Sequence, residues 1–263
     1  MRDEEIDAME QVEDTYWWHV GRRQIISRIV RRFLQTGNPT ILDVGCGTGR
    51  NLKLLGEFGQ AWGVDNSSAS LEAARRFGLD GRLSCARATL LPFADGTVDL
   101  VTALDVLEHL DDDAEGLAES WRVLAPGGVL LVAVPAYRFL WSEHDEFLGH
   151  RRRYVASELH AKVGNAGFDV LKRSYAITFA FPIILGFRLF RGLFPNVDRK
   201  RSVYVMLPEP LNAFFTRLVE FEARLMDFVS LPLGTSIFCV ARKNEDPARR
   251  SRATPRPGPH DPD

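Results

Sequence analysis

The chain has 263 residues, 45% of them hydrophobic and 26% charged, and a formal net charge of −2. That composition supplies one large core, and the near-neutral balance excludes a general attraction to nucleic acid or to anionic lipid. Three scattered cysteines, Cys46, Cys85 and Cys239, give neither a disulfide framework nor metal-ligand spacing and suit a reducing cytosol.

In chain order, the N-terminal MRDEEIDAMEQVED is acidic and polar, unlike a secretory signal. Residues 3–36 are predicted to form a helical arm, with Ile25, Ile26, Ile29, Val30, Phe33 and Leu34 at helical spacing and TGNP as the stop. The arm unit is read as 1–39. From Thr40 to Tyr175 apolar strands alternate with helices. TILDVG, AWGVD, RLSCARA, TVDLVTAL, VLLVAVP and FDVLKRSYA read as strands. NLKLLGEFG, SSASLEAARRFG, DDAEGLAESWRVL and ASELHAKVGNAG read as helices, with serine and glycine at caps. That alternation predicts a mostly parallel sheet covered on both faces. Residues 176–234 break the rhythm. They form an apolar insertion with a predicted helix from Leu211 to Val229, after which Thr235 to Lys243 reads as a last strand. Residues 244–263 lack an apolar pattern and are expected to be disordered. No stretch reaches the roughly 18–20 uncharged apolar residues that cross a bilayer.

The most informative segment is ILDVGCGTGR, Ile41 to Arg50. A dinucleotide fingerprint, G-x-G-x-x-G, requires glycine where Arg50 stands. The pattern is instead an acid, Asp43, followed by Gly45, Gly47 and Gly49. An acid beside the turn is a poor partner for pyrophosphate and suits a ligand with positive charge. A second acid, Asp65, ends the next strand, where a carboxylate can accept from both ribose hydroxyls. A ligand with a ribose and a cationic part, such as S-adenosylmethionine, fits both acids.

The segments LDVGCGTG, GVDNS, ATLLPFADGTVDLVTALDVLEHL and RVLAPGGVLLVAVP resemble the successive motifs of class I S-adenosylmethionine-dependent methyltransferases, in the type 11-like group with LPF and LEHL signatures. The resemblance covers residues 40–175 and 235–243. It implies an α/β, Rossmann-like, doubly wound seven-stranded mixed sheet whose last strand is antiparallel, with S-adenosylmethionine as cofactor. By resemblance, Asp43, Gly45, Cys46, Gly47 and Gly49 hold the methionine end, Asp65 the ribose, and Asn66, Ala88 and Thr89 the adenine. Arg87 stands where many relatives carry an acid for the adenine amino group. Leu104 and Asp105 resemble the strand end that lines the methyl-donor cleft.

Methyl transfer to a hydroxyl needs a base as well as alignment. His109, His144 and His150 are the candidates. SEHDEFLGHRRRY, Ser142 to Tyr154, is expected to overhang the cleft. Its Arg151 and Arg152 would grip an anionic acceptor group with Tyr154 beside them, or its charges would pair locally. No metal is expected, because His144, His150 and Asp145 lack a third ligand set. Trp17, in TYWWHVGRR, would stack on the ligand or join the core. The insertion is read as acceptor lid, membrane contact, dimer surface or plain packing.

These features predict methyl transfer, with oxygen as the expected atom, to a small or amphiphilic acceptor: an isoprenoid, a quinone-like molecule or a lipid-linked glycan. The alternatives are carbon or nitrogen methylation on the same scaffold, a non-catalytic S-adenosylmethionine-binding regulator, or a dehydrogenase. The expected setting is cytoplasmic, with peripheral membrane contact open, no nucleic-acid partner, and a monomer or homodimer.

Overall fold

The computed structural model describes residues 10, 12–34, 37–79, 81–189 and 207–244. Its centre is one seven-stranded sheet in the order β3-β2-β1-β4-β5-β7-β6. The strands are β1 (Thr40–Val44), β2 (Gln60–Asp65), β3 (Leu83–Cys85), β4 (Val98–Leu104), β5 (Leu124–Pro135), β6 (Phe168–Ala176) and β7 (Ser236–Lys243). The first five pair in parallel, and β7 runs antiparallel to both β5 and β6. The order reverses between β1 and β4, which places a ligand crevice at their carboxyl ends.

Two buried clusters explain the near-continuous apolar strands. Ile41, Leu131 and Val240 face one layer with Ile25, Ile26 and Ile29. Leu42, Leu130 and Val132 face the other with Leu117 and Leu159. A strand covered on both faces has no use for polar alternation. The helices that supply the cover are α1 (Trp17–Phe33), α2 (Arg50–Leu55), α3 (Ser68–Arg76), α4 (Asp113–Val123), α5 (Glu143–Leu148), α6 (Ala156–Asn165), α7 (Ala180–Leu189) and α8 (Glu209–Leu225). Ser67 caps α3 by accepting from the Ser70 amide at 3.2 Å, and Asp112 caps α4 by accepting from the Ala114 amide at 2.8 Å.

Several elements differ from the sequence expectation, and the arm helix opens only at Trp17, after a turn at residues 13–15. The strand expected to open at Val129 opens at Leu124, because Val98 pairs with Leu124 before the register jumps to Leu100 with Val129. The Pro-Gly-Gly turn is a bulge inside β5, where proline's missing donor costs no ladder bond. The third strand is only three residues long. The last helix lies two residues earlier at its start than expected and stops at Leu225, after which Asp227 turns toward α1.

That contact makes the arm and the insertion one layer. A Cβ on Gly21 would lie 2.6 Å from Val219 Cβ, so α1 and α8 cross with almost no space between them. Asn212 accepts from the Trp17 amide at 2.9 Å and donates to the Thr15 carbonyl at 2.7 Å. Arg28 donates to Asp227, and Arg32 to the Asp227 carbonyl. In its last turn α8 is also anchored by buried Glu222, which accepts from the Ile177 and Thr178 amides where β6 finishes. Among the described residues, no helix is long and apolar enough to cross a membrane. Residues 190–206 of the insertion, and all but Asn244 of the segment expected to be disordered, lie outside the described residues.

Candidate functional site

The glycine turn follows β1 directly. Gly45, Gly47 and Gly49 have φ of 70°, 54° and 84°, in the left-handed region that glycine enters without penalty. At Gly45 space as well as φ demands glycine, because an added Cβ would sit 2.5 Å from Val106 Cγ2. The turn is tied to the neighbouring strand: the Gly45 and Cys46 amides donate to the Val64 carbonyl at 2.7 and 3.0 Å. Cys46 itself is buried in the core.

Asp65 organises this junction. Its Oδ2 accepts from the Gly47 amide at 2.9 Å and its Oδ1 from the Ser67 amide at 2.8 Å. Each oxygen retains a lone pair, so the carboxylate is both oriented and able to accept further bonds. Asp43 is 1% exposed. Its Oδ1 accepts from Thr102 Oγ1 at 2.6 Å, while Oδ2 has no hydrogen-bond partner among the described residues. Burial raises this acid to about 7; the Thr102 bond opposes the rise and the nearby Asp65 charge adds to it. A buried carboxylate with an unused oxygen is suited to a cation.

Asn66 is exposed beside this junction, and Ala88 and Thr89 form a tight turn closed by the Arg87–Leu90 bridge. Leu104 is buried at the end of β4. Asp105 follows it with φ of 58°, a sparsely populated conformation for a residue with a side chain. Arg22 of α1 pairs with Asp105 at 2.7 Å, and its guanidinium lies 4.3 Å from the Trp18 ring centroid.

The arm also covers the glycine turn. Buried Glu13 accepts from Thr48 Oγ1, Arg50 Nε donates to Asp14 at 3.2 Å, and Arg23 donates to the Glu13 carbonyl at 2.6 Å. Reading the sequence alone missed Arg22, Glu13 and Thr48. The GRR of the arm and the acidic stretch before it were the available signals, but nothing local told which charges are buried. Trp17 packs on Phe179 and Phe215, with centroids 5.5 and 5.6 Å away, inside the arm–insertion layer.

The second cluster lies just beyond Asp105. His109 follows fully buried Glu108 in a short 3-10 turn, and the His109 and His150 rings meet edge to face at 4.8 Å. Desolvation, reinforced by His150 and opposed by Asp105, lowers His109 to about 4 even though part of its ring reaches the surface. It is therefore neutral at pH 7 and a weak base. His150 Nδ1 lies 2.9 Å from Asp145 Oδ1. Burial pushes Asp145 up, but His150 and Arg153 outweigh it and hold the acid well below the ordinary range. His144 lies on an exposed face of α5, outside the His109–His150 pair.

The arginine stretch adopts the local-pairing alternative. Arg151 bonds Asp111 at 2.7 Å and the His109 carbonyl at 3.0 Å. Arg152 bonds the Leu110 and Asp111 carbonyls at 2.9 and 2.8 Å. These side chains cap and brace the 3-10 turn. Tyr154, expected beside the acceptor, is fully buried, and its hydroxyl donates to Asp113 at 2.8 Å. Its main chain pairs with Ala136 just past β5, which draws the ring under the sheet edge. The expectation of acceptor contact at Tyr154 is corrected: it is a core residue.

The sheet order and the acid-flanked glycine turn together have the form of a Rossmann-like α/β domain. Residues 42–132 match the family described as methyltransferase domain. A probable S-adenosylmethionine-dependent methyltransferase of Mycolicibacterium smegmatis is 31% identical over 162 residues, covering 60% of this chain and 61% of the relative. A ubiquinone/menaquinone biosynthesis C-methyltransferase, UbiE, of Klebsiella pneumoniae is 34% identical over 140 residues, covering 48% and 55%. The chain thus spans roughly half to three-fifths of the length of these relatives. Among solved structures, phosphoethanolamine N-methyltransferase 2 of Haemonchus contortus aligns with a TM-score of 0.60 at 20% identity, covering 93% of this chain and 58% of that one. The [4+2]-cyclase SpnF aligns at 0.54 with 23% identity, covering 85% and 81%; these structural likenesses concern the fold alone. Residues 42–132 thus match a methyltransferase domain, set on a seven-stranded sheet whose seventh strand is antiparallel.

Proposed function

We propose that this chain transfers a methyl group from S-adenosylmethionine to an oxygen of a small or amphiphilic acceptor. The observation that carries the donor part is the pair of acids on adjacent strands near their carboxyl ends: Asp43 with an unused buried oxygen, and Asp65 held by two amides. Asp65 would receive the ribose hydroxyls, and the free Asp43 oxygen would balance the positive charge of the methionine end. When bound, the donor supplies an already activated methyl on a sulfonium. The chain's own residues then align the acceptor and exclude water. Arg22 on Asp105, Glu13 on Thr48 and Arg50 on Asp14 fasten the arm over the β1 and β4 ends, so the arm acts as the cover that opens for exchange.

An oxygen acceptor fits the polar group of Glu108 and His109, three and four positions after Asp105, with His150 beside them. The apolar arm–insertion layer, with Trp17, Phe179 and Phe215, would receive the greasy part of an isoprenoid, quinone-like or lipid-linked acceptor. Carbon methylation is the second reading, favoured by the 34% identity to the quinone C-methyltransferase. Calorimetry with S-adenosylhomocysteine against NAD tests the donor; tighter NAD binding would overturn it. Labelled donor with a panel of phenols, quinols and prenyl alcohols, followed by NMR of the product, separates oxygen from carbon. Donor binding without any methylated product in cell extract would favour a regulatory protein.

A further inference from the structure

Glu108 takes no part in the donor contacts proposed for Asp43 and Asp65. Its side chain is fully buried, and neither oxygen has a hydrogen-bond partner in another described residue. An unpaired buried carboxylate is expensive, so the surroundings should offer a cation or a proton. What surrounds it is a set of metal-ligating groups: one ligand-capable atom each from Glu108, His109 and His150 lies within 4.8 Å of the others. His150 is already oriented. Its Nδ1 is engaged with Asp145 at 2.9 Å, which leaves Nε2 for ligation. Asp145 is in turn fixed by Arg153 at 2.7 Å and by the Ser142 amide at 2.8 Å. A carboxylate behind a ligating histidine is the usual support for a metal site.

We propose that Glu108, His109 and His150 bind a divalent transition-metal ion. Two imidazoles and one carboxylate favour Zn²⁺ or Mn²⁺ over Mg²⁺ and Ca²⁺, which take oxygen donors. Three protein ligands leave a coordination position open, as in catalytic sites. The spacing of His144 and His150 around Asp145 lacked a further ligand set; folding supplies it from residues some 40 positions earlier and discards His144. The site's existence stands apart from the donor reading, but its role rests on it. A hydroxyl on the open position becomes acidic. Its proton leaves to solvent as the oxygen's electron pair bonds the methyl carbon, and the carbon–sulfur bond breaks with its pair going to sulfur. His109 is then a ligand rather than the proton acceptor, and the acceptor class is a hydroxyl compound.

The test uses the full chain, stripped with chelator and titrated with Zn²⁺, Mn²⁺ and Mg²⁺ by calorimetry, with the Co²⁺ absorption spectrum as a report on geometry. The expected result is one Zn²⁺ or Mn²⁺ per chain, bound tighter than Mg²⁺. H150A and E108Q should each weaken binding at least ~10-fold, and D145N by roughly 10–100-fold through His150. Should E108Q fail to fold by circular dichroism, H109A and H150A carry the test. Absence of binding, or binding that H109A and H150A leave unchanged, would overturn the site; Mg²⁺ binding as tightly would overturn the choice of ion. S-adenosylhomocysteine affinity, measured on the same samples, keeps the readings distinct. Donor binding without metal sinks this inference alone, and metal binding without donor sinks the methyl-transfer role alone.

Discussion

Replacing Asp43 by asparagine should stabilise the ligand-free protein while weakening its hold on the donor. Asp43 is buried, keeps one oxygen unused, and is raised from an ordinary 3.8 to about 7. Between those values the folded chain holds a proton that the unfolded chain has released. Stability from this group is therefore fully present below about 3.8 and is lost as pH rises through about 7. That displacement corresponds to at most roughly 4 kcal/mol. Asparagine keeps the shape and still accepts from Thr102, but its own buried NH2 lacks a partner and returns part of the gain. The expected net gain at pH 8 is about 1–3 kcal/mol, or a melting temperature higher by about 2–10 °C for a chain of this size. At pH 4.5 the difference should nearly vanish. Saturating S-adenosylhomocysteine or S-adenosylmethionine should raise the wild-type midpoint more than that of D43N. Thermal unfolding by circular dichroism at both pH values, with and without ligand, reads all of this. A D43N protein less stable than wild type at pH 8, or a difference independent of pH, would refute the claim that this carboxylate is held against its own solvation.

Other residues give independent checks. D65A should lose about 1–3 kcal/mol of S-adenosylhomocysteine affinity by calorimetry, with D65N recovering part of it; unchanged affinity removes the ribose role. R22A strands Asp105 and unfastens the arm, so it should cost about 1–3 kcal/mol of stability and speed proteolysis within residues 12–23; a protease pattern identical to wild type would show that the arm is held elsewhere. Y154F should lose about 1 kcal/mol of stability through the Asp113 bond and leave ligand affinity unchanged; weakened binding with intact stability would return Tyr154 to the site. G45A should be strongly destabilised, because φ of 70° and the Val106 contact both oppose a Cβ; a wild-type melting curve would contradict the close approach of that turn.

The sequence by itself determined the sheet and the glycine turn with its two acids. Strand runs such as VLLVAV are apolar along their whole length, and glycines recur where φ must be positive, so local pattern carries the answer. Asp43 lies one residue before the end of β1 and Asp65 ends β2, and adjacent parallel strands bring these positions near each other without further information. What only the tertiary structure decided is how charge is distributed once the layers close. Arg151 and Arg152 looked available to an acceptor yet bond backbone carbonyls of the 3-10 turn, and Tyr154 went under the sheet. Glu108 lost its solvent, while His150 rather than His144 came to face His109. A strand or a turn is specified by neighbours a few residues away. The burial and pairing of a charge depend on groups tens to hundreds of positions distant, as Arg22 with Asp105 and Trp17 with Asn212 show, and no local pattern encodes them.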